Sequence, residues 1–170
     1  MRIAVTGKRG QIVSALRERA PPDVEIVALG RPELDLADAE SVARAFDGLD
    51  CAAIVNAAAY TAVDKAESEP EMAMRVNADG AAHVARAAAR LNVPLLHLST
   101  DYVFDGTLDR PYREDDAVQP TSAYGRSKLA GERRIAQIHP RSAILRSAWI
   151  NLDTIWAGAL VAAGVLSLAI

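Results

Sequence analysis

Five short runs of apolar and β-branched residues, each but the last followed by a helix-length stretch, constrain this chain more than any other feature. The runs are Arg2–Thr6, Val24–Leu29, Ala52–Val55, Leu95–Ser99 and Ser142–Arg146. Between them, four stretches read as helices: Gln11 to Arg19, Asp38–Phe46 with its acidic first turn, the alanine-rich Glu71–Leu91, and Ser122–Ile138. Asn92-Val93-Pro94 stops the third of these, because proline cannot extend a helix and restricts the residue before it. Strands joined through helices of this length run parallel, since a crossover helix carries the chain back to the same end of the sheet. The expected fold class is α/β: a doubly wound parallel sheet with helices on both faces, the Rossmann-like arrangement that binds dinucleotides.

Composition removes several function classes. A net charge of −3 supplies no basic surface for nucleic acid. One cysteine, Cys51, cannot form an internal disulfide and fits a reducing compartment. The first strand begins at Arg2 with no apolar leader before it, so the cytoplasm is the expected location. His83, His97 and His139 fall on separate elements without a Cys or Glu cluster and read as surface or core residues, so no metal is expected. Ile155–Ile170 is uncharged and rich in Ala, Leu and Val, but a membrane span needs about 20 residues, so it reads as an atypical apolar tail.

The first strand runs into Gly7-Lys8-Arg9-Gly10-Gln11-Ile12. Glycines at such a turn let the backbone bend sharply and approach a pyrophosphate, and the helix N–H groups that follow hold the anion. Val13 occupies the place of the usual third glycine, whose role is close helix–strand packing, so the helix is expected to stand slightly outward. After the second strand comes Leu29-Gly30-Arg31, where NAD-preferring folds carry an acidic residue. Arg31 can pair with a 2′-phosphate, and Lys8 and Arg9 add positive field. NADPH is therefore the expected cofactor, with NADH as the alternative; Asp35 lies close enough in sequence to reach the adenine side.

Tyr124-Gly125-Arg126-Ser127-Lys128 carries the chemistry. Residues four apart share a helix face, so phenol and ammonium can address one bound molecule. A free phenol has a pKa near 10, and a nearby ammonium is expected to lower it toward useful proton exchange. The same spacing arises on any surface helix; its partners decide the matter. Leu98-Ser99-Thr100-Asp101-Tyr102-Val103-Phe104 follows the fourth strand, and Asn56-Ala57-Ala58-Ala59-Tyr60-Thr61 follows the third. Both lie where the carboxyl ends of a doubly wound sheet build a site. There Thr100 can orient a substrate carbonyl toward Tyr124, and the alanines let a cofactor approach the backbone.

Asn56–Glu67, Ser99–Phe104 and Tyr124–Glu132 together resemble the signatures of the dTDP-4-dehydrorhamnose reductases, extended short-chain dehydrogenase/reductases, over residues 1–150. The resemblance implies NADPH-dependent reduction of the C4 carbonyl of dTDP-4-dehydro-L-rhamnose. It implies a catalytic trio of Thr100, Tyr124 and Lys128. It implies cofactor contacts from Gly10, Gln11, Ile12, Asp35, Ala59, Tyr60, Thr61, Tyr124 and Lys128, besides Gly7 and Arg31 from the turn chemistry. Substrate contacts follow at Thr100, Tyr102 and Trp149, the last within Arg146-Ser147-Ala148-Trp149. The partner expected is a small nucleotide-sugar; a homodimer is an allowed assembly, and neither nucleic acid nor membrane is expected. The resemblance stops after Ile150, while family members continue for roughly a hundred residues or more, a length typical of a further domain. Residues 1–150 are thus expected to form the NAD(P)-binding domain and 151–170 a tail, with most of the family's substrate-binding domain lacking. Alternatives are a non-catalytic NAD(P)-binding or regulatory module, an inactive truncated reductase among them, and a related nucleotide-sugar epimerase or dehydratase.

Overall fold

A computed structural model describes residues 1–148. Five strands, β1 (Arg2–Thr6), β2 (Glu25–Leu29), β3 (Ala53–Asn56), β4 (Leu95–Thr100) and β5 (Ser142–Ser147), form one parallel sheet in the order β2-β1-β3-β4-β5. Six α-helices accompany them: α1 (Gln11–Arg19), α2 (Ala39–Ala45), α3 (Val63–Ser68), α4 (Pro70–Met74), α5 (Gly80–Leu91) and α6 (Ala123–Ile138). The chain reverses its winding between β1 and β3, so the loops leaving those strands flank a crevice at the sheet's carboxyl end. Every expected strand is present, displaced by a residue at most.

Alternation along the strands builds two cores. Ile3, Val5, Ala53, Val55 and Leu96 face Val13 and Leu16 of α1. Ala4, Ile54 and Leu95 point the other way, against Val42 and Phe46 beside α2, Val84 and Ala88 of α5, and Ile135 of α6. Val13 is buried in the first core, with a methyl against the space a side chain at Gly7 would occupy. Valine thus fills the helix–strand contact that glycine would have closed.

Caps fix the helix ends. The Asp38 carboxylate accepts from the Glu40 N–H at 2.9 Å, and the Ser122 hydroxyl from the Gly125 N–H at 3.0 Å. Asn92 ends α5 in the left-handed region, φ 54°, as its place before Val-Pro suggests.

The single helix expected over Glu71–Leu91 is corrected. It starts at Pro70, preorganised for a first helical turn, and passes through a π-helical turn at Arg75–Asp79 before α5. Alanine-rich propensity cannot disclose that turn, because its cause is tertiary. The Asn77 amide bonds both the N–H and the carbonyl of Tyr60, at 2.8 and 3.0 Å, and the Ser127 hydroxyl at 2.9 Å. Helix α3 was also unforeseen; the run after Thr61 has no strong cap or period.

Candidate active site

Five of the expected site residues, Gln11, Ile12, Thr100, Tyr102 and Tyr124, line one cleft of about 250 Å³. Gln11 and Ile12 arrive from the first turn of α1, Ser99, Thr100, Asp101 and Tyr102 from the end of β4, and Tyr124 from α6. Val63, Ser147 and Ala148 complete the lining; each lies in a motif quoted above but was given no site role of its own. A larger recess of about 560 Å³ lies toward β5, lined by Phe104, Tyr112, Glu132 and Arg146 among others. Glu132 and Arg146 satisfy each other there, so the smaller cleft, where hydroxyl and phenol converge, is the better site.

Thr100 and Tyr124 line the same cleft. The Thr100 hydroxyl donates to the Asp101 carboxylate at 3.1 Å and accepts from the Tyr102 N–H at 3.2 Å. Burial works against ionisation of the phenol most strongly; the nearby Thr100 hydroxyl favours the ionised form and the Asp101 charge opposes it. The phenol's pKa is therefore raised above its ordinary value of 10. Tyr102 packs edge-on to the Tyr124 ring, centroids 5.7 Å apart at 78°. Tyr124 also shares a small apolar cluster with Tyr60 and Ala123, which joins the loop after β3 to α6.

Lys128 corrects the expectation that an ammonium tunes this phenol. Its Nζ turns into the protein, donating to the Leu98 carbonyl at 2.6 Å and lying 3.4 Å from His97 Nε2. Burial lowers its pKa to about 8. Sharing a helix face is not the same as sharing a direction: an amine 2% exposed goes where a carbonyl will accept its hydrogens.

Gly125 explains how the β4 loop comes so close. A Cβ there would collide with the Tyr102 carbonyl oxygen and stand 3.0 Å from Pro120 Cβ. Gly125→Ala must therefore push the Thr100–Tyr102 turn away from α6. The expected cost is about 3 kcal/mol, the upper part of the usual range for overpacking. In thermal unfolding that corresponds to a loss of roughly 6–12 °C for a chain of this size. A melting temperature within a degree of wild type would refute it.

The cofactor-side residues sit around the first turn. Gly7 has φ 106° and donates its N–H to the Leu29 carbonyl at 2.6 Å. Gly10 caps α1 with no side chain bonded to the first helical N–H groups, and a Cβ added there meets nothing within 4 Å. Ala59 is half-buried in the loop beyond β3, Thr61 is exposed, and the Tyr60 hydroxyl donates to Glu69 at 2.9 Å. A positive-φ glycine, an open helix N-terminus and three successive alanines fit the pyrophosphate and ribose of a dinucleotide.

The positive charges expected beside β2 have acidic neighbours. Lys8 pairs with Glu33, and Arg31 lies 3.9 Å from Asp35, which also accepts from the Ala37 N–H at 2.9 Å. Both pairs are substantially exposed, so a phosphate can displace either carboxylate at small cost. Trp149 lies outside the described residues, as does the expected apolar tail.

Three polar strand residues, Thr6, Asn56 and His97, are all buried. His97 is thus one of the core histidines expected, while Thr6 was given no role, its only signal being a single polar residue at the end of an apolar strand.

Comparison with known proteins finds the same fold. The family model described as "RmlD substrate binding domain" matches residues 1–154. A dTDP-4-dehydrorhamnose reductase of Sinorhizobium fredii is 56% identical over 150 residues, covering 88% of this chain and 51% of that protein. The solved structure of such a reductase from Clostridium acetobutylicum superposes with a TM-score of 0.85 at 35% identity, covering 91% of this chain and 56% of that one. That from Bacillus anthracis, in complex with NADP, gives 0.84 at 35%, covering 87% and 53%. The chain spans about half the length of the curated relatives it matches. Among the described residues, no helix is long and apolar enough to cross a membrane.

Proposed function

Because the chain belongs to the dTDP-4-dehydrorhamnose reductase family, we propose that it carries the cofactor-binding and proton-donating half of an NADPH-dependent reductase, residues 1–150, acting on the C4 carbonyl of dTDP-4-dehydro-L-rhamnose in the cytoplasm. NADH is the alternative cofactor. The observation that carries this reading is the meeting of Thr100 and Tyr124 in one cleft with the open N-terminus of α1.

Gly7, Gly10, Gln11 and Ile12 would hold the pyrophosphate, the loop from Ala59 to Thr61 the nicotinamide end, and Arg31 the 2′-phosphate in exchange for Asp35. When bound, the reduced nicotinamide supplies a hydride to C4. Thr100 donates a hydrogen bond that orients the substrate carbonyl. Tyr124 gives its proton to the carbonyl oxygen as negative charge gathers there. Burial suits this role, since a phenol with a raised pKa holds its proton at neutral pH. Tyr102, exposed at the cleft mouth, and Trp149 are proposed sugar contacts.

Oxidation of NADPH, followed by its absorbance with that sugar nucleotide, tests the whole reading; a folded sample without substrate-dependent oxidation would overturn it. Binding is tested separately at Gly10. Gly10→Ala creates no internal clash and is expected to leave the melting temperature within about 2 °C, surface changes being worth about ±0.5 kcal/mol. Its methyl nevertheless meets an incoming pyrophosphate, so NADPH affinity by tryptophan fluorescence should fall about tenfold or more, equivalent to 1.4 kcal/mol. Unchanged affinity would place the cofactor elsewhere.

A further inference from the structure

Strand register sets three buried polar residues in one row. Thr6 of β1 pairs with Asn56 of β3, and Asn56 with His97 of β4, all on the face that meets α6. The row is hydrogen-bonded throughout. The Ala57 and Ala58 N–H groups both donate to the Thr6 hydroxyl, each at 3.0 Å. Thr6 Oγ1 donates to Asn56 Oδ1 at 2.7 Å, and Asn56 Nδ2 lies 3.0 Å from His97 Nδ1. His97 Nε2 then faces Lys128 Nζ at 3.4 Å.

Counting donors fixes the direction. Two backbone N–H groups fill both lone pairs of the Thr6 hydroxyl, so its own hydrogen must go to Asn56 Oδ1. The Asn56 amide therefore presents NH₂ to His97. Turning it over would give Thr6 a third donor and strand a buried hydroxyl hydrogen. His97 Nδ1 must accept, and its proton sits on Nε2, pointing at Lys128. An ammonium there would set donor against donor; a neutral amine accepts from Nε2–H while still donating to the Leu98 carbonyl.

We infer that Thr6, Asn56 and His97 form a one-way hydrogen-bond chain that makes His97 a positioning residue for Lys128, holding the amine inward and setting the charge it carries. The chain begins on the backbone of Ala57 and Ala58, in the loop proposed to receive the nicotinamide end, so loop and lysine are coupled. Other charges act on Lys128 as well. Glu132, one turn further along α6, favours its protonation and is itself tied to Arg146 of β5 and to the Ser99 hydroxyl of β4. His97 is held neutral by burial first and by Lys128 second. The inference deepens the proposed reductase site and rests on Lys128 being one of its cofactor contacts, as the family resemblance implies.

The test is NMR of the isotopically labelled full chain without substrate, so its outcome is separate from turnover. Long-range ¹H–¹⁵N correlations should show His97 as the Nε2–H tautomer at neutral pH, with the Lys128 side chain titrating near 8. Thr6→Val keeps the volume and the burial of Lys128 but frees the Asn56 amide to turn. Its expected result is a mixed His97 tautomer and a Lys128 midpoint raised by about one unit, a tenfold change in the protonation equilibrium. Thr6→Ser restores both. An Nδ1–H tautomer in the wild type overturns the inference, and so does a folded Thr6→Val whose lysine midpoint stays put, since burial alone would then explain it. If Thr6→Val does not fold, the wild-type tautomer decides.

Discussion

Tyr124→Phe should lower the rate of the proposed carbonyl reduction by about 10²–10⁴-fold, the usual worth of a positioned general acid. The substitution removes one oxygen at the point where Thr100 and Tyr124 converge, and leaves the ring its edge-on contact with Tyr102 and its place beside Tyr60. Packing is thus preserved, so melting temperature and NADPH affinity should stay close to wild type while kcat falls. Losses in kcat and kcat/KM should be similar, because the lost interaction belongs to the transition state. A variant that reduces substrate at an undiminished rate would remove Tyr124 from the chemistry. One that merely loses cofactor would recast it as a binding residue.

The second large effect is on stability, at Arg146. Its guanidinium bonds both carboxylate oxygens of Glu132, at 2.8 Å from Nη2 and 3.1 and 3.2 Å from Nε. It also lies over the Phe104 ring at 5.1 Å. The Glu132 side chain is 4% exposed and takes a further hydrogen bond of 2.5 Å from Ser99. Arg146→Met keeps most of the stem but leaves a buried carboxylate without its counter-charge. The expected loss is about 3–5 kcal/mol, the cost of breaking a buried pair from one side. The double variant Arg146→Met/Glu132→Leu should recover much of the loss, since replacing both partners with apolar groups is often neutral. Urea unfolding reads both the loss and the recovery. A deficit under 1 kcal/mol for Arg146→Met at neutral pH would show that the pair is solvated and weak.

These two residues differ in how far the sequence discloses them. Tyr124 stands in a spaced motif and falls near a turn that follows an apolar run, so its place at the sheet's carboxyl end follows from chain order alone. Arg146 and Glu132 lie in different elements, and nothing in spacing or periodicity says that they touch. Lys128 is the instructive intermediate. A separation of four residues correctly sets it on the face of Tyr124, but not the direction of a long side chain, which follows the nearest acceptor. The exposed pairs Lys8–Glu33 and Arg31–Asp35 teach the same lesson about charge: a residue count gives net sign, and only proximity tells which charges are already spent.

By itself the sequence determined the alternation of strands and helices, the glycine turn opening α1, the stop at Asn92 and the delivery of Thr100 and Tyr124 to one end of a parallel sheet. All of these are local: propensity, capping, backbone freedom at glycine, and the rule that crossovers return to the same edge. Tertiary structure alone decided the π-helical turn at Asn77, the close approach that Gly125 permits and the row of Thr6, Asn56 and His97 behind Lys128. Each depends on groups dozens of residues apart being forced to satisfy one another away from water. That demand is set by the packed molecule, and no window of sequence contains it.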